Sequence, residues 1–215
     1  MSVEESVGIE GLNNPVTQFS TGAVRDVQEN KGRCDLIPLC ILGDLISYYN
    51  EHYKDFEEFS VSEAKQFIFY SIGDYVYYGD INNLLAAVSM FICRCTTWKD
   101  ISSMSRVYEA SLDVSLHYKH GLQKYGERNW EKGIPLHSYI DSSIRHLLKV
   151  LAYYNDERHD LAFIWNLLCC AHTDLYINKP ELRDLPFCKG FETLKDAATA
   201  EINTNNSQDW EMQYD

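Results

Sequence analysis

Apolar positions recur at helical rather than strand spacing over most of this 215-residue chain. Leu39, Leu42, Leu45 and Ile46 mark one face just after Pro38, and proline suits a first helical turn because its missing N–H has no partner there. Further helices are predicted over residues 61–70, 81–98, 102–125, 139–153 and 156–176, with Asp80 placed as the cap that opens the 81–98 helix. The acidic, aromatic run 51–60 reads as a loop and 126–135 as a turn-rich link. Tyr75-Val76-Tyr77-Tyr78 is too short and too isolated between glycines to be a strand. Residues 1–30 show no helical period and read as a loop or arm. Beyond Pro180 and Pro186 the chain turns polar, so 188–215 is expected to be a tail, disordered and acidic over 203–215. There is no internal repeat and no pair of alternating strands. The expectation is an all-α fold, an irregular helix bundle forming one domain over 31–187.

Charge narrows the function classes. Nineteen Lys+Arg against 32 Asp+Glu give a net charge of −13, which argues against binding a nucleic-acid backbone, since that needs a cationic footprint. A small polyanion held by a few local cations and a metal ion remains compatible with this charge. No run of about 18 apolar residues is present, so no membrane span is expected. The first thirty residues lack the basic and apolar regions of a secretory signal, and the seven cysteines lack paired zinc-site spacing. They read as small buried hydrophobes in a reducing, cytoplasmic compartment.

Three segments carry candidate chemistry. On the 102–125 helix, Glu109, Asp113 and His117 lie at i, i+4 and i+8, with His120 close behind, forming one polar stripe; Met104, Val107 and Leu122 are expected to be apolar contacts opposite. The stripe is either a solvated face of charge pairs or a carboxylate–imidazole ladder facing a metal or nucleotide. In the last helix, Asp156, Glu157, His159 and Asp160 come first. Acidic residues there complement the helix dipole, yet Glu157-x-x-Asp160 also puts two carboxylates on one face, as a hard cation requires. Between them lies Lys124-Tyr125-Gly126-Glu127-Arg128-Asn129-Trp130-Glu131-Lys132-Gly133-Ile134-Pro135. Its cations and aromatic rings could hold phosphates and stack a base, or Trp130 could simply plug the core. Asp141 and Arg145 stand at i, i+4, where an internal ion pair is the plain explanation. Asn166, an amide inside an apolar run, needs a partner. His159-Asp160 is also an HD pair, but Asp174 as a last ligand would lie in the same helix about four turns away.

These residues occur in words that resemble a known family. Phe19-Ser20-Thr21-Gly22-Ala23-Val24-Arg25-Asp26 and Lys31-Gly32-Arg33-Cys34-Asp35-Leu36-Ile37-Pro38 come first. Asp113 with His117-Tyr118 follows, then the link from Lys124 to Pro135, Tyr139-Ile140-Asp141-Ser142 with Arg145-His146, and Asp156-Glu157-Arg158-His159-Asp160 with Trp165-Asn166. Together they resemble the phage and prophage dATP/dGTP diphosphohydrolase N-terminal domain family, relatives of the MazG-like all-α nucleotide pyrophosphatases. Residues 51–105 are expected to be a helical insertion. Where that group carries a first ExxE pair, this chain has Asp113-x-x-x-His117.

The resemblance implies a MazG-like bundle that hydrolyses a purine dNTP, or a related nucleotide, to dNMP and pyrophosphate with Mg²⁺, or Mn²⁺ in its place. It implies metal binding by Asp113, Glu157 and Asp160, completed or oriented by Asp141 or Asp156. A carboxylate of this set, with His159 beside it, would be catalytic. Lys31, Arg33, Lys124 and Arg145 would take phosphate oxygens, Asn129 and Trp130 the sugar or base. His117, His146 and His159 would donate hydrogen bonds. It further implies a phage-encoded protein of the host cytoplasm, with no nucleic-acid or membrane partner and with homo-oligomerisation left open. The incomplete carboxylate signature motivates an alternative, a non-catalytic protein that sequesters a nucleotide.

Overall fold

The computed structural model describes residues 5–7, 16–27, 31–96, 98 and 101–189. The chain divides into two compact units, Met1–Gly32 and Arg33–Asp215. The expected tail at 203–215 lies outside the described residues.

The first unit corrects the expectation of an unstructured arm. β1 (Glu5–Val7), β2 (Val16–Gln18) and β3 (Val24–Asp26) form an antiparallel sheet in the order β1-β2-β3. Val7 pairs with Val16, and Gln18 with Val24. Gly22 sits at φ 86° in the β2–β3 turn, which Phe19 and Ala23 close with a 2.8 Å backbone hydrogen bond.

Among its described residues the second unit holds six α-helices, in agreement with the all-α expectation: α1 (Leu39–Glu57), α2 (Val61–Tyr78), α3 (Ile81–Arg94), α4 (Arg106–Tyr125), α5 (Leu136–Leu151) and α6 (His159–Tyr176). Several boundaries move. Most of the expected 51–60 loop is the end of α1, because Tyr49 and Phe56 extend its buried face and Tyr53 packs beside them. Ser60 then opens α2 with a capping box, accepting from the Glu63 amide while the Glu63 carboxylate accepts from its own. Tyr75–Tyr78 are the last turn of that helix, stopped by Gly79 at φ 73°, where a Cβ would lie 2.5 Å from the Phe187 ring. Asp80 caps α3 as expected, accepting from the Asn82 amide, but α3 ends at Arg94. A 3₁₀ turn, Ser103–Ser105, precedes α4.

α3 is apolar almost all round, with every residue from Leu84 to Cys93 buried, and it packs against α1, α2, α4 and α6. Within residues 51–105, α2 and α3 supply much of the core. α5 shows the complementary pattern, burying Leu136, Tyr139, Ile140, Ser143 and Leu147 along one stripe that lies on α6. Cys93, Cys169 and Cys170 are buried as expected, whereas Cys34 and Cys40 are exposed. Met104, expected on the apolar side, is exposed.

Charged side chains lie inside at Arg106 and Asp174. Arg106 is 9% exposed; its Nε donates to the Ile101 carbonyl at 3.2 Å and its Nη1 to Glu57 Oε1 at 3.2 Å. Glu57 also accepts from the Ser103 hydroxyl, so this pair joins the end of α1 to the start of α4. Among the described residues, no helix is long and apolar enough to cross a membrane.

Candidate active site

A cavity of about 900 Å³ opens between α4, the 126–135 link, α5 and the start of α6. The link forms its rim and is held from outside. Arg33 binds Asp35 through two 2.7 Å hydrogen bonds and reaches Glu127 at 2.8 Å, while Arg128 donates to the Asp35 carbonyl at 2.8 Å. Gly133 closes the link at φ 85°, and a Cβ there would stand 2.4 Å from Leu182.

Aromatic groups make one wall. His117 and Tyr118 from α4 meet Trp165 from α6 at centroid distances of 5.9 and 6.1 Å, and Tyr139 from α5 meets the same indole at 6.2 Å. Trp130 is 6% exposed and packs edge-on against Tyr118 and His172, so it does plug the core. It also lines the cavity, and its buried Nε1 has no hydrogen-bond partner among the described residues. Asn166 lines the wall as well and donates to the Ala162 carbonyl at 2.8 Å.

The polar side differs from the expected metal cage. The turn between α5 and α6 passes through Tyr153 at φ 60°, and α6 begins at His159, so Asp156 and Glu157 precede the helix. They do not share a helical face with Asp160. Arg158 instead comes between the expected ligands: it binds Asp160 through two hydrogen bonds of 2.7 and 2.9 Å and approaches Asp113 at 3.5 Å. Asp113 also accepts from the Trp98 indole at 3.2 Å. Asp141 is exposed and paired with Arg145 one turn along α5, which is the plain explanation of their spacing. Asp156 accepts from His159 Nε2 at 2.8 Å and lies 3.4 Å from Lys149.

Glu157 points elsewhere. Among the described residues, the group of three or more His, Cys, Asp or Glu whose ligand atoms all come within 4.8 Å is His146, Glu157 and His159. Glu157 Oε1 is 3.0 Å from His159 Nδ1 and 3.4 Å from His146 Nδ1, and the two ring nitrogens are 3.0 Å apart. An all-carboxylate Mg²⁺ cage from Asp113, Glu157 and Asp160 does not fit this geometry, because an arginine already occupies the space between two of its members.

Of the expected phosphate cations in the second unit, Lys124 lines the cavity, whereas Arg33 and Arg145 do not. Lys124 lines the cavity with its ammonium 5.0 Å from the Tyr125 ring, and Asn129 lines it while accepting from Lys132 at 3.2 Å. Arg33 braces the rim through its carboxylates, and Arg145 is engaged by Asp141 outside the lining. Lys31 belongs to the amino-terminal unit. Sequence reasoning missed Arg158 and Arg128 as cavity cations; both were visible in the quoted words, one beside His159 and one beside Asn129.

Burial pushes the His117 imidazole down to about 4, with the charge of Glu157 opposing. Burial also lowers His146 below the usual histidine range. For His117 the sign is opposite to that of an ion-paired histidine. Its folded-state value lies below the ordinary value of about 6.5, so the unfolded chain binds the proton more readily. Its contribution is complete above about pH 6.5 and is lost as the pH falls toward 4. Urea unfolding at pH 7 and pH 4.5 should show the parent losing roughly 2 kcal/mol more than His117→Gln over that interval. Equal losses in both proteins would remove His117 as the source.

Residues 98–184 match the family described as dATP/dGTP diphosphohydrolase, N-terminal. That segment contains α4, the link, α5 and α6, which together form nearly the whole cavity. The diphosphohydrolase words at 19–38 lie outside it. Comparison with curated proteins and with solved structures gave no match.

Proposed function

We propose that the chain is a purine deoxynucleoside triphosphate diphosphohydrolase, encoded by a phage or prophage and working in the host cytoplasm. The observation that carries this reading is the cavity. Its aromatic wall and its cations Lys124, Arg128 and Arg158 suit a nucleotide, and it is built by the segment that matches the diphosphohydrolase family. Trp165, Tyr139 and His117 offer stacking surface for a base, and the unpartnered indole N–H of Trp130 offers a donor. Arg158 gives the phosphates a planar, charge-assisted donor, at the cost of loosening its hold on Asp160.

In the reaction, a water oxygen bonds to the α-phosphorus and the bond to the oxygen bridging to the β-phosphate breaks. The products are dNMP, pyrophosphate and a proton. Glu157, half exposed and lining the cavity, orients the attacking water in this reading. A divalent cation would neutralise charge on the departing pyrophosphate.

A second reading has its own support. Arg158 filling the space between Asp113 and Asp160 suits a pocket that retains a nucleotide without cleaving it. One experiment separates the two. Purified protein is incubated with each dNTP and Mg²⁺, the products are resolved, and binding is measured in parallel. Release of dNMP and pyrophosphate from dATP or dGTP supports the enzyme. Stoichiometric binding without turnover supports sequestration, and neither result with any dNTP rejects both.

A further inference from the structure

We infer that His146, Glu157 and His159 form a binding site for a divalent first-row transition-metal ion of the Zn²⁺ type, with further coordination positions left to water or substrate. Two imidazoles and a carboxylate are a donor set that such ions take in catalytic sites, whereas Mg²⁺ prefers oxygen alone. The inference refines the diphosphohydrolase reading, on which it rests for the metal's role, but metal uptake itself is independent of nucleotide.

Separation is the first argument. The three donor atoms stand 3.0, 3.0 and 3.4 Å apart. Metal–nitrogen bonds of about 2.0–2.1 Å set ligand atoms about 3.3 Å apart in a tetrahedron and about 2.9 Å apart at right angles. The observed triangle spans those values.

The second argument is orientation. His159 is 2% exposed, and its Nε2–H donates to Asp156 Oδ1 at 2.8 Å. That bond fixes the tautomer and turns the lone pair of Nδ1 toward the triangle, the carboxylate–histidine arrangement that outer groups give to metal-ligating imidazoles. Glu157 and His146 Nδ1 face the same point. The His159 Nδ1 lone pair and Glu157 Oε1 are two acceptors 3.0 Å apart, and they repel unless a proton donor or a cation serves both: either the Nδ1–H of a neutral His146 or a metal ion.

The position suits a role. His146 and Glu157 line the cavity and His159 backs them, so an ion there would border the space assigned to phosphate. The elements are also rigid: α5 and α6 supply the two histidines, held antiparallel by the buried stripe of α5.

The test uses the full chain after treatment with a chelator. Titration with Co²⁺ alone should give visible ligand-field bands saturating at one equivalent. Zn²⁺ should displace them stoichiometrically, and a large excess of Mg²⁺ should not. His159 is buried, so its variants could fail to fold; Glu157→Gln and His146→Ala are the ligand variants, each checked by circular dichroism. Each should weaken Co²⁺ binding at least a hundredfold. Asp156→Asn, which touches only the back of His159, should weaken it by about ten- to a hundredfold. Absence of bands, parent-like affinity in both ligand variants, or equal competition by Mg²⁺ would overturn the site and leave the Nδ1–H of His146 as the group that bridges the two acceptors. Co²⁺ uptake without dNTP cleavage would retain the site and remove the enzyme reading. Cleavage without Co²⁺ uptake would do the reverse.

Discussion

Arg158→Met is expected to lower dNTP turnover by two to three orders of magnitude while shifting thermal unfolding by only a few degrees. The guanidinium lines the cavity and is about half exposed, so its pairs with Asp160 and Asp113 contribute little to folding, about 1 kcal/mol or less. Its value to a reaction is larger. A charged donor already positioned where negative charge develops is worth roughly 10²–10³ in rate. Methionine fills similar space without the charge and leaves two carboxylates facing incoming phosphate. Arg158→Lys should recover only part of the loss, because one ammonium cannot reproduce the planar fork that spans both oxygens of Asp160. Steady-state hydrolysis and scanning calorimetry on the three proteins check this. Turnover unchanged within a factor of a few would exclude Arg158 from phosphate capture.

Glu57→Ala should cost about 3 kcal/mol, the low end for breaking a buried pair, since Glu57 itself retains some contact with water. The penalty falls on Arg106, left charged and 9% exposed without its carboxylate partner, its guanidinium beside the Ile101 and Cys93 carbonyls and the Cys93 thiol. Arg106→Met in the same background should return part of that stability by replacing the stranded charge with apolar volume. Urea unfolding of both single variants and the double variant measures the coupling, expected at 1–3 kcal/mol, roughly the range for contacting residues. Additive effects would show that the two side chains are energetically independent.

The sequence made the helices legible and the site only partly so. α5 and α4 present apolar residues on one side, so periodicity alone finds them. The end of α1 escaped because Glu51, Lys54, Asp55, Glu57 and Glu58 outweigh Tyr53 and Phe56 in any reading by polarity, although those two rings pack inward. The strands escaped because three residues are too few to display a two-residue alternation. At the site, the words around 113, 124–135 and 156–160 did locate the cavity. What they hid was direction. Reading Glu157 and Asp160 as one helical face assumed that α6 begins before Glu157; it begins at His159, and the two carboxylates part company. Arg158 was passed over as a neighbour of candidate ligands, yet its length lets it reach Asp113 on another helix. Pairing of Arg145 with Asp141, by contrast, follows from spacing alone, and there the plain reading was right.

The burial of α3 bears on how the protein can be handled. The family match starts at residue 98, after α3 has ended, yet α4 and α6 each pack on that helix, and Phe163 meets Phe91 with ring centroids 4.5 Å apart. A gene fragment trimmed to the matched boundaries would lay bare the sides of α4 and α6 that α3 covers, with no replacement surface to hide them. Such a fragment would collapse or precipitate before its pocket could be assayed. Expression designs for this protein therefore need to begin no later than residue 33, so that the helix on which the cavity-forming half is folded travels with it.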